Sequence, residues 1–205
     1  MKQSKRRSKR PRTAEIARQT KETDIKVSIN LDGKGENNID TGIGFFDHML
    51  TALSKHSGID MDISCKGDLY VDAHHSVEDV GIVLGQALKE ALGDKVGIRR
   101  YGSASIPMDE ALGTCSLDIS GRAYLVFDCK FEGDFCGTMD TQLFEEFFRS
   151  FAFNAGITLH IACPYGANDH HKAEAMFKAL ARALREATET DPRFEGQVIS
   201  TKGAL

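Results

Sequence analysis

Two nine-residue stretches carry the residue types from which metal sites are built. DAHHSVEDV spans residues 72–80, and NDHHKAEAM spans 168–176. Each holds adjacent histidines with a glutamate three residues beyond the second: His74, His75 and Glu78, then His170, His171 and Glu174. On a helix, residues three and four apart share a face, while neighbours point about 100° apart. Each glutamate can therefore work with either histidine of its pair. Two adjacent rings cannot both aim at one small ion, so such a pair suits two ions, one per ring.

The chain has seven histidines, and the other three are His48, His56 and His160. His48 lies in FFDHML, on the polar side of an apolar helical stripe. His160 lies in ITLHIAC, on the strand face opposite Leu159 and Ile161. With the two motifs these give six histidines and two glutamates, which divide into two sites of three His and one Glu. Four protein ligands leave open positions on a six-coordinate ion; catalysis needs such positions, and a closed structural site lacks them. Imidazole and carboxylate without thiolate suit Mn, Fe, Co, Ni or Zn. Manganese fits the hard carboxylates and six-coordination, although the donors do not choose among these metals. His56, eight residues after His48, reads either as a surface residue or as part of the same pocket.

Basic residues suggest how a substrate would be held. Arg99 and Arg100 sit in GIRRYG, Arg122 in SGR, and Ser200 and Lys202 in STK. Guanidinium forks and a Ser–Lys pair are standard holders of phosphate oxygens. Lys178 stands four residues after Glu174 and seven after His171, on the same helical face. A cation there could grip one end of a substrate whose other end meets metal.

The elements that must position these groups occur twice. Val80, Val83, Leu84, Ala87, Leu88 and Ala91 follow the first motif at helical spacing; shifted by 96 they become Met176, Ala179, Leu180, Ala183, Leu184 and Ala187. Upstream, Phe46, Met49, Leu50 and Leu53 form a helical stripe before Gly58 and the alternating strand Ile59, Met61, Ile63, Cys65. Phe144, Phe147, Phe148 and Phe151 do the same before Gly156 and Ile157, Leu159, Ile161, Cys163. Ile25, Val27, Ile29 and Leu31 alternate earlier, as do Leu117, Ile119 and then Leu125, Phe127, Cys129, with SGR (120–122) as a turn. Each half reads strand–strand–helix–strand–helix, an α+β layered unit built twice. Residues 13–97 and 98–205 are the expected halves of one compact catalytic unit.

The chain of 205 residues is 41% hydrophobic and 27% charged, which predicts a soluble globular protein. A net charge of −4 argues against general nucleic-acid or membrane binding. No apolar run is long enough to cross a bilayer, and no signal-peptide pattern opens the chain. Five cysteines without a CxxC fit a reducing, cytoplasmic compartment. Residues 1–12, MKQSKRRSKRPR, read as a disordered basic tail.

The motifs RTAEIARQTKET, NLDGKG, TGIGFFDHML, GDLYVDAHHSVEDVGI, KVGIRRYGSASIPMDEAL, LDISGRAYL and NAGITLHIACPYGANDHHKAEAMFKALARAL resemble the imidazoleglycerol-phosphate dehydratases of histidine biosynthesis. They cover nearly everything from residue 12 onward. The resemblance implies conversion of imidazole-glycerol phosphate to imidazole-acetol phosphate with loss of water. It implies a tandem repeat similar to the second domain of ribosomal protein S5, each half a four-stranded sheet backed by two helices. It further implies a homo-oligomer of 24 subunits, with two manganese ions (or another divalent metal) in each active site between subunits. By motif position the ligands would be His48, His74, His75, Glu78, His160, His170, His171 and Glu174. Substrate contacts would be Glu22, His56, Arg100, Arg122, Lys178, Ser200 and Lys202. For the acid and base that loss of water needs, Glu22 is the candidate, and Glu174 or a freed histidine could share the role. SGRA stands where SGRP is commoner, and no phosphatase domain is expected. Two rivals share these residues: a metallohydrolase of a phosphorylated metabolite, and a non-catalytic protein whose ions only join subunits.

Overall fold

The computed structural model describes residues 11–203. The basic stretch assigned to 1–12 lies outside this range except for its last two residues. Arg12 belongs to the fold: its guanidinium forks onto Asp32 and donates to the Thr188 carbonyl at 2.5 Å.

The first half runs β1 (Thr13–Gln19), β2 (Thr23–Asn30), β3 (Asn37–Asp40), α1 (Gly44–Ser57), β4 (Asp60–Gly67) and α2 (His74–Leu92). The second runs β5 (Tyr101–Met108), β6 (Ala111–Asp118), β7 (Tyr124–Cys129), then a short hairpin of β8 (Phe135–Cys136) and β9 (Met139–Asp140). It continues with α3 (Leu143–Ala155), β10 (Thr158–Cys163) and α4 (Asp169–Thr188). The two large sheets have matching orders, β1-β2-β4-β3 and β5-β6-β10-β7. In each, the last strand before the first helix pairs parallel with the strand after it, and the other pairings are antiparallel. Each large sheet therefore takes three strands from ahead of the first helix of its half, one more than alternation suggested, and the second half adds the β8–β9 hairpin. β3 (NNID) is a polar edge strand and lacks the apolar alternation that marks a half-buried one.

The helices lie between the two sheets and pair across the halves, α1 with α4 and α2 with α3, while α2 packs on β1–β2 and α4 on β5–β6. This cross-pairing puts the aromatic stripe to use. Phe147 is fully buried, stacks on Phe177 of α4 with ring centroids 5.3 Å apart, and meets Phe46 of α1 edge-on at 5.2 Å. Gly81 and Gly85 let α2 approach α3 closely, since a Cβ on Gly85 would sit 2.6 Å from the Phe151 carbonyl oxygen. The two halves thus share one core and cannot be separated without exposing it.

Candidate metal and substrate site

The first turns of α2 and α4 place the paired histidines at equivalent points. Helix N-termini leave amide donors unpaired. The Asp72 side chain accepts from the His74 amide at 2.7 Å, and Asn168 accepts from the His171 amide at 3.3 Å. Below these caps, α2 is tied to the first sheet by buried Asp79, which takes a 2.5 Å hydrogen bond from Thr23 and an ion pair from Arg18. The α4 start is tied down by Asp169, which binds buried Lys172 at 2.9 Å and accepts from the Gly133 amide at 2.7 Å.

Within each pair the rings point apart. The His74 and His75 centroids lie 6.2 Å apart with planes at 81°; His170 and His171 lie 6.1 Å apart at 79°. The first ring of each pair looks toward its glutamate: His74 Nε2 is 3.7 Å from Glu78 Oε2, and His170 Nε2 is 3.1 Å from Glu174 Oε2. His48, from α1, joins the second of these at 3.4 Å from Glu174. His48, His170 and Glu174 each offer a ligand atom, all within 4.8 Å of one another, and among the described residues they are the one group of three donors so close. Two imidazoles and a carboxylate on partly open surface fit a borderline divalent ion with positions to spare.

Glu174 is the buried member of this group, and its other oxygen receives Lys178 Nζ at 2.6 Å. Burial pushes its carboxyl up, but the bond and charge of Lys178, with help from His170 and His48, outweigh burial and the net shift is downward. His56 faces the same region from α1. Burial, then the charges of Lys178 and Arg182, lower its pKa. Lys178 and His56 therefore flank the donor group.

His74, His75 and Glu78, the donors of the first motif, stand apart from that group. Glu22, just ahead of β2, lies 3.9 Å from His75 Nε2. A cleft of about 610 Å³ opens beside His74, lined by Asp72, Asp140 and Glu146 with Leu69 and Phe135. His160 is exposed on β10, on the sheet face away from the helices, and is not part of the close group.

The basic residues gather at another corner. Arg100 forks onto Asp118, at 2.7 and 3.0 Å, and donates to the Ile199 carbonyl at 2.6 Å. The hydrogen bond to Asp118 raises its pKa above the ordinary value. Its backbone takes the unusual φ of 72°, so sheet and C-terminal segment together fix it in place. Arg122 is exposed and 3.7 Å from the same Asp118. Ser200 and Lys202 follow Ile199 in a turn closed by the Lys202 amide on Ser200 Oγ. Arg100 thus anchors the segment that carries Ser200 and Lys202.

Two contacts involve residues that the motif reading did not single out. Asp68 places both carboxylate oxygens 3.1 Å from His75 Nδ1, and Glu110 places Oε2 2.7 Å from His171 Nδ1. Both imidazole pKa values rise, in each case first through the hydrogen bond to the carboxylate. Glu110 itself is held at about 2, first by the Asn168 amide and then by His171. Glu110 stands inside the motif PMDEAL and Asp68 opens DLYVDAHH. Helical or strand spacing marks neither acid as a partner of a histidine.

Residues 41–184 match the protein family described as Imidazoleglycerol-phosphate dehydratase. The chain belongs to that family. It is 61% identical over 194 residues to the imidazoleglycerol-phosphate dehydratase of Acetivibrio thermocellus, covering 95% of this chain and 99% of the relative. To the Gluconobacter oxydans enzyme it is 57% identical, covering 95% and 98%. Among solved structures, the dehydratase of Staphylococcus aureus superposes with TM-score 0.80 at 43% identity, covering 87% of this chain and 99% of that one. The Pyrococcus furiosus dehydratase in complex with (S)-C348 gives 0.80 at 42%, covering 93% and 100%. The chain is therefore a hydro-lyase of histidine biosynthesis, and the α+β fold expected from the resemblance is the fold of the family's solved structures. None of its described helices is long and apolar enough to cross a membrane.

Proposed function

We propose that this chain dehydrates imidazole-glycerol phosphate to imidazole-acetol phosphate in the cytoplasm, using two divalent ions per active site, manganese by preference. The observation that carries this reading is the convergence of His48, His170 and Glu174 within 4.8 Å, with Lys178 bound to the same glutamate. Bound ions would stabilise the deprotonated form of the substrate's imidazole ring, which can then push electrons toward the adjoining carbon as the hydroxyl there departs.

The chain's own residues would do the rest. Glu22 is exposed beside His75 and can take the proton from the next carbon, which carries the second hydroxyl. The departing hydroxyl gains a proton and leaves as water. The enol that remains becomes the ketone by a proton shift, so atoms balance with no oxidant or reductant. Glu174, once its bond to Lys178 loosens, can share proton transfer. Lys178 and His56 flank the ring end; Arg122, Ser200 and Lys202, steadied by Arg100, suit the phosphate. Gripping the phosphate orients the reacting carbons.

One chain gathers three donors closely, and the motifs hold more than that. His74, Glu78, His75, His160 and His171 stand at other points of the surface, so completing two sites of three His and one Glu fits donors from neighbouring copies. This supports a homo-oligomer, a 24-mer in this reading, with active sites between subunits.

The decisive experiment is elemental analysis of the purified protein with turnover of imidazole-glycerol phosphate before and after chelation. The expected result is manganese or a similar ion in the protein, ketone formation lost on chelation and restored by metal, and no inorganic phosphate. Phosphate release would indicate the metallohydrolase, and turnover indifferent to chelation would defeat the metal reading.

A further inference from the structure

In both halves the second histidine of the pair has a carboxylate on Nδ1, but the two carboxylates come from different places. Asp68 lies in the loop between β4 and α2, while Glu110 lies in the turn between β5 and β6. The stretch that corresponds to the Asp68 loop in the second half, PYGAN at 164–168, contains no acid. Glu110 immediately precedes β6; its counterpart, Glu22, immediately precedes β2 and lies nearer Nε2 of His75 than Nδ1. Duplication alone would have returned the same contact from the same position. The contact recurs from non-equivalent positions, which points to a requirement on the histidines themselves.

The geometry says what that requirement is. A carboxylate at Nδ1 accepts a hydrogen bond from Nδ1–H, which keeps the proton of the neutral ring on Nδ1, leaves the Nε2 lone pair free and fixes the plane of the ring. Glu110 cannot swing away, because its Oε1 accepts the amides of Ala167 and Asn168 at 3.0 and 2.7 Å while Oε2 meets His171. Asp68 is largely enclosed, its side chain 13% exposed, and both its oxygens are equidistant from Nδ1.

We infer that Asp68 and Glu110 are positioning residues that hold His75 and His171 with Nε2 presented to a divalent cation. This rests on the metal-dependent reading above and names the residues that prepare its ligands. Outer partners of this kind typically change metal affinity by about 10–100-fold.

The test uses the full-length protein stripped of metal, with manganese as the probe. Affinity is read by chelator competition, and ring protonation by solid-state NMR of protein carrying ¹⁵N-histidine, at a pH where the rings are neutral. Asp68→Ala should weaken manganese binding roughly 10-fold or more and release one ring from its single tautomer, whereas Asp68→Asn, which still accepts at Nδ1, should restore most of both. Glu110→Gln should act more strongly than its shape suggests. Its amide oxygen is claimed by two backbone amides, so its NH₂ must face Nδ1 and force the proton onto Nε2. Wild-type affinity with unchanged tautomers in Asp68→Ala and Glu110→Gln would overturn the inference. So would equal losses in Asp68→Ala and Asp68→Asn. If Glu110→Gln melts early, the Asp68 pair decides alone, since among the described residues the Asp68 carboxylate hydrogen-bonds only to the imidazole. Wild-type turnover that survives chelation would instead defeat the metal reading itself, so the two failures are distinguishable.

Discussion

Gly113 sits on β6 directly beneath the α4 turn that carries Glu174. A Cβ placed there would lie 2.6 Å from the Met176 amide nitrogen, and closer still to the Ala175 carbonyl carbon and oxygen. Non-bonded carbon contacts settle at about 3.5–4.0 Å, so Gly113→Ala requires helix and sheet to part by about 1 Å. The obstructing atoms are backbone, and no rotamer can relieve them. Overpacking of this sort costs about 1–3 kcal/mol. At roughly 2–4 °C per kcal/mol for a chain of this size, the melting temperature should fall by about 2–12 °C. Function should suffer more than stability, because ligand sites tolerate only about 0.5 Å of displacement. Glu174 is the residue immediately before Ala175, and His170 and Lys178 are within about a turn of it. Manganese affinity should therefore drop about 10-fold or more. Gly102 is an internal control: a Cβ there meets the Ala183 carbonyl and the Ala187 amide, more than two turns beyond Glu174. Gly102→Ala should lower the melting temperature comparably and disturb metal binding much less. Thermal melts and chelator-competition titrations on both variants decide the matter. If Gly113→Ala keeps wild-type affinity while losing stability, the claim that β6 sets the position of the α4 ligands is wrong.

Arg100→Ala leaves Asp118 in a half-buried site without its fork and frees Ile199; a loss of about 3 kcal/mol, or roughly 6–12 °C in melting temperature, is expected. KM for imidazole-glycerol phosphate should rise with metal content unchanged, which steady-state kinetics and elemental analysis will check. Phe147→Ala empties the point where α1, α3 and α4 meet, and should cost about 3–5 kcal/mol, read by urea unfolding. Glu110 sits at about 2 in the fold against an ordinary 4.5. A lowered folded value gives stabilisation that is complete above the ordinary value and fades as pH falls toward the lowered one. The raised His171 value adds stabilisation that is full below the ordinary imidazole value of 6.5 and fades as pH rises through the raised one. The melting difference between metal-free wild type and Glu110→Ala should therefore be greatest near pH 5–6, shrink toward pH 3 and shrink in part above neutrality; a difference independent of pH would show that the charge contributes nothing.

The helices were legible because each buries one stripe. Val80, Val83, Leu84 and Ala87 recur at spacings that only a helix puts on one side, and their repetition 96 residues later made the duplication visible. β4 and β10 were legible for the analogous reason at period two. β1 and β3 were harder to read, because strands at sheet edges bury few side chains: β1 has Ala14 alone fully covered, and β3 none. The hairpin β8–β9 has strands of two residues, below any periodicity. The pairing of α1 with α4 and α2 with α3 depends on which stripe meets which, and apolar stripes of similar composition do not specify partners.

The candidate site divides along the same line. Donors on one helix, such as His170, Glu174 and Lys178, were legible because helical spacing is itself the geometry. His48 could be counted as a donor from its type, but its place beside Glu174 depends on α1 crossing α4, which spacing cannot supply. Asp68 and Glu110 lie still further from the motif logic. Glu110 reaches His171 across 61 positions of sequence, and Asp68 reaches His75 through a loop with no period at all. What the duplication copied was the pair of histidines and their glutamate. What it did not copy was the support behind the second ring, which each half built from its own loop. A bare copy of the motif would bring back the same carboxylate from the same position; a carboxylate on Nδ1 from a different position in each half is what a geometric demand on the second ring predicts.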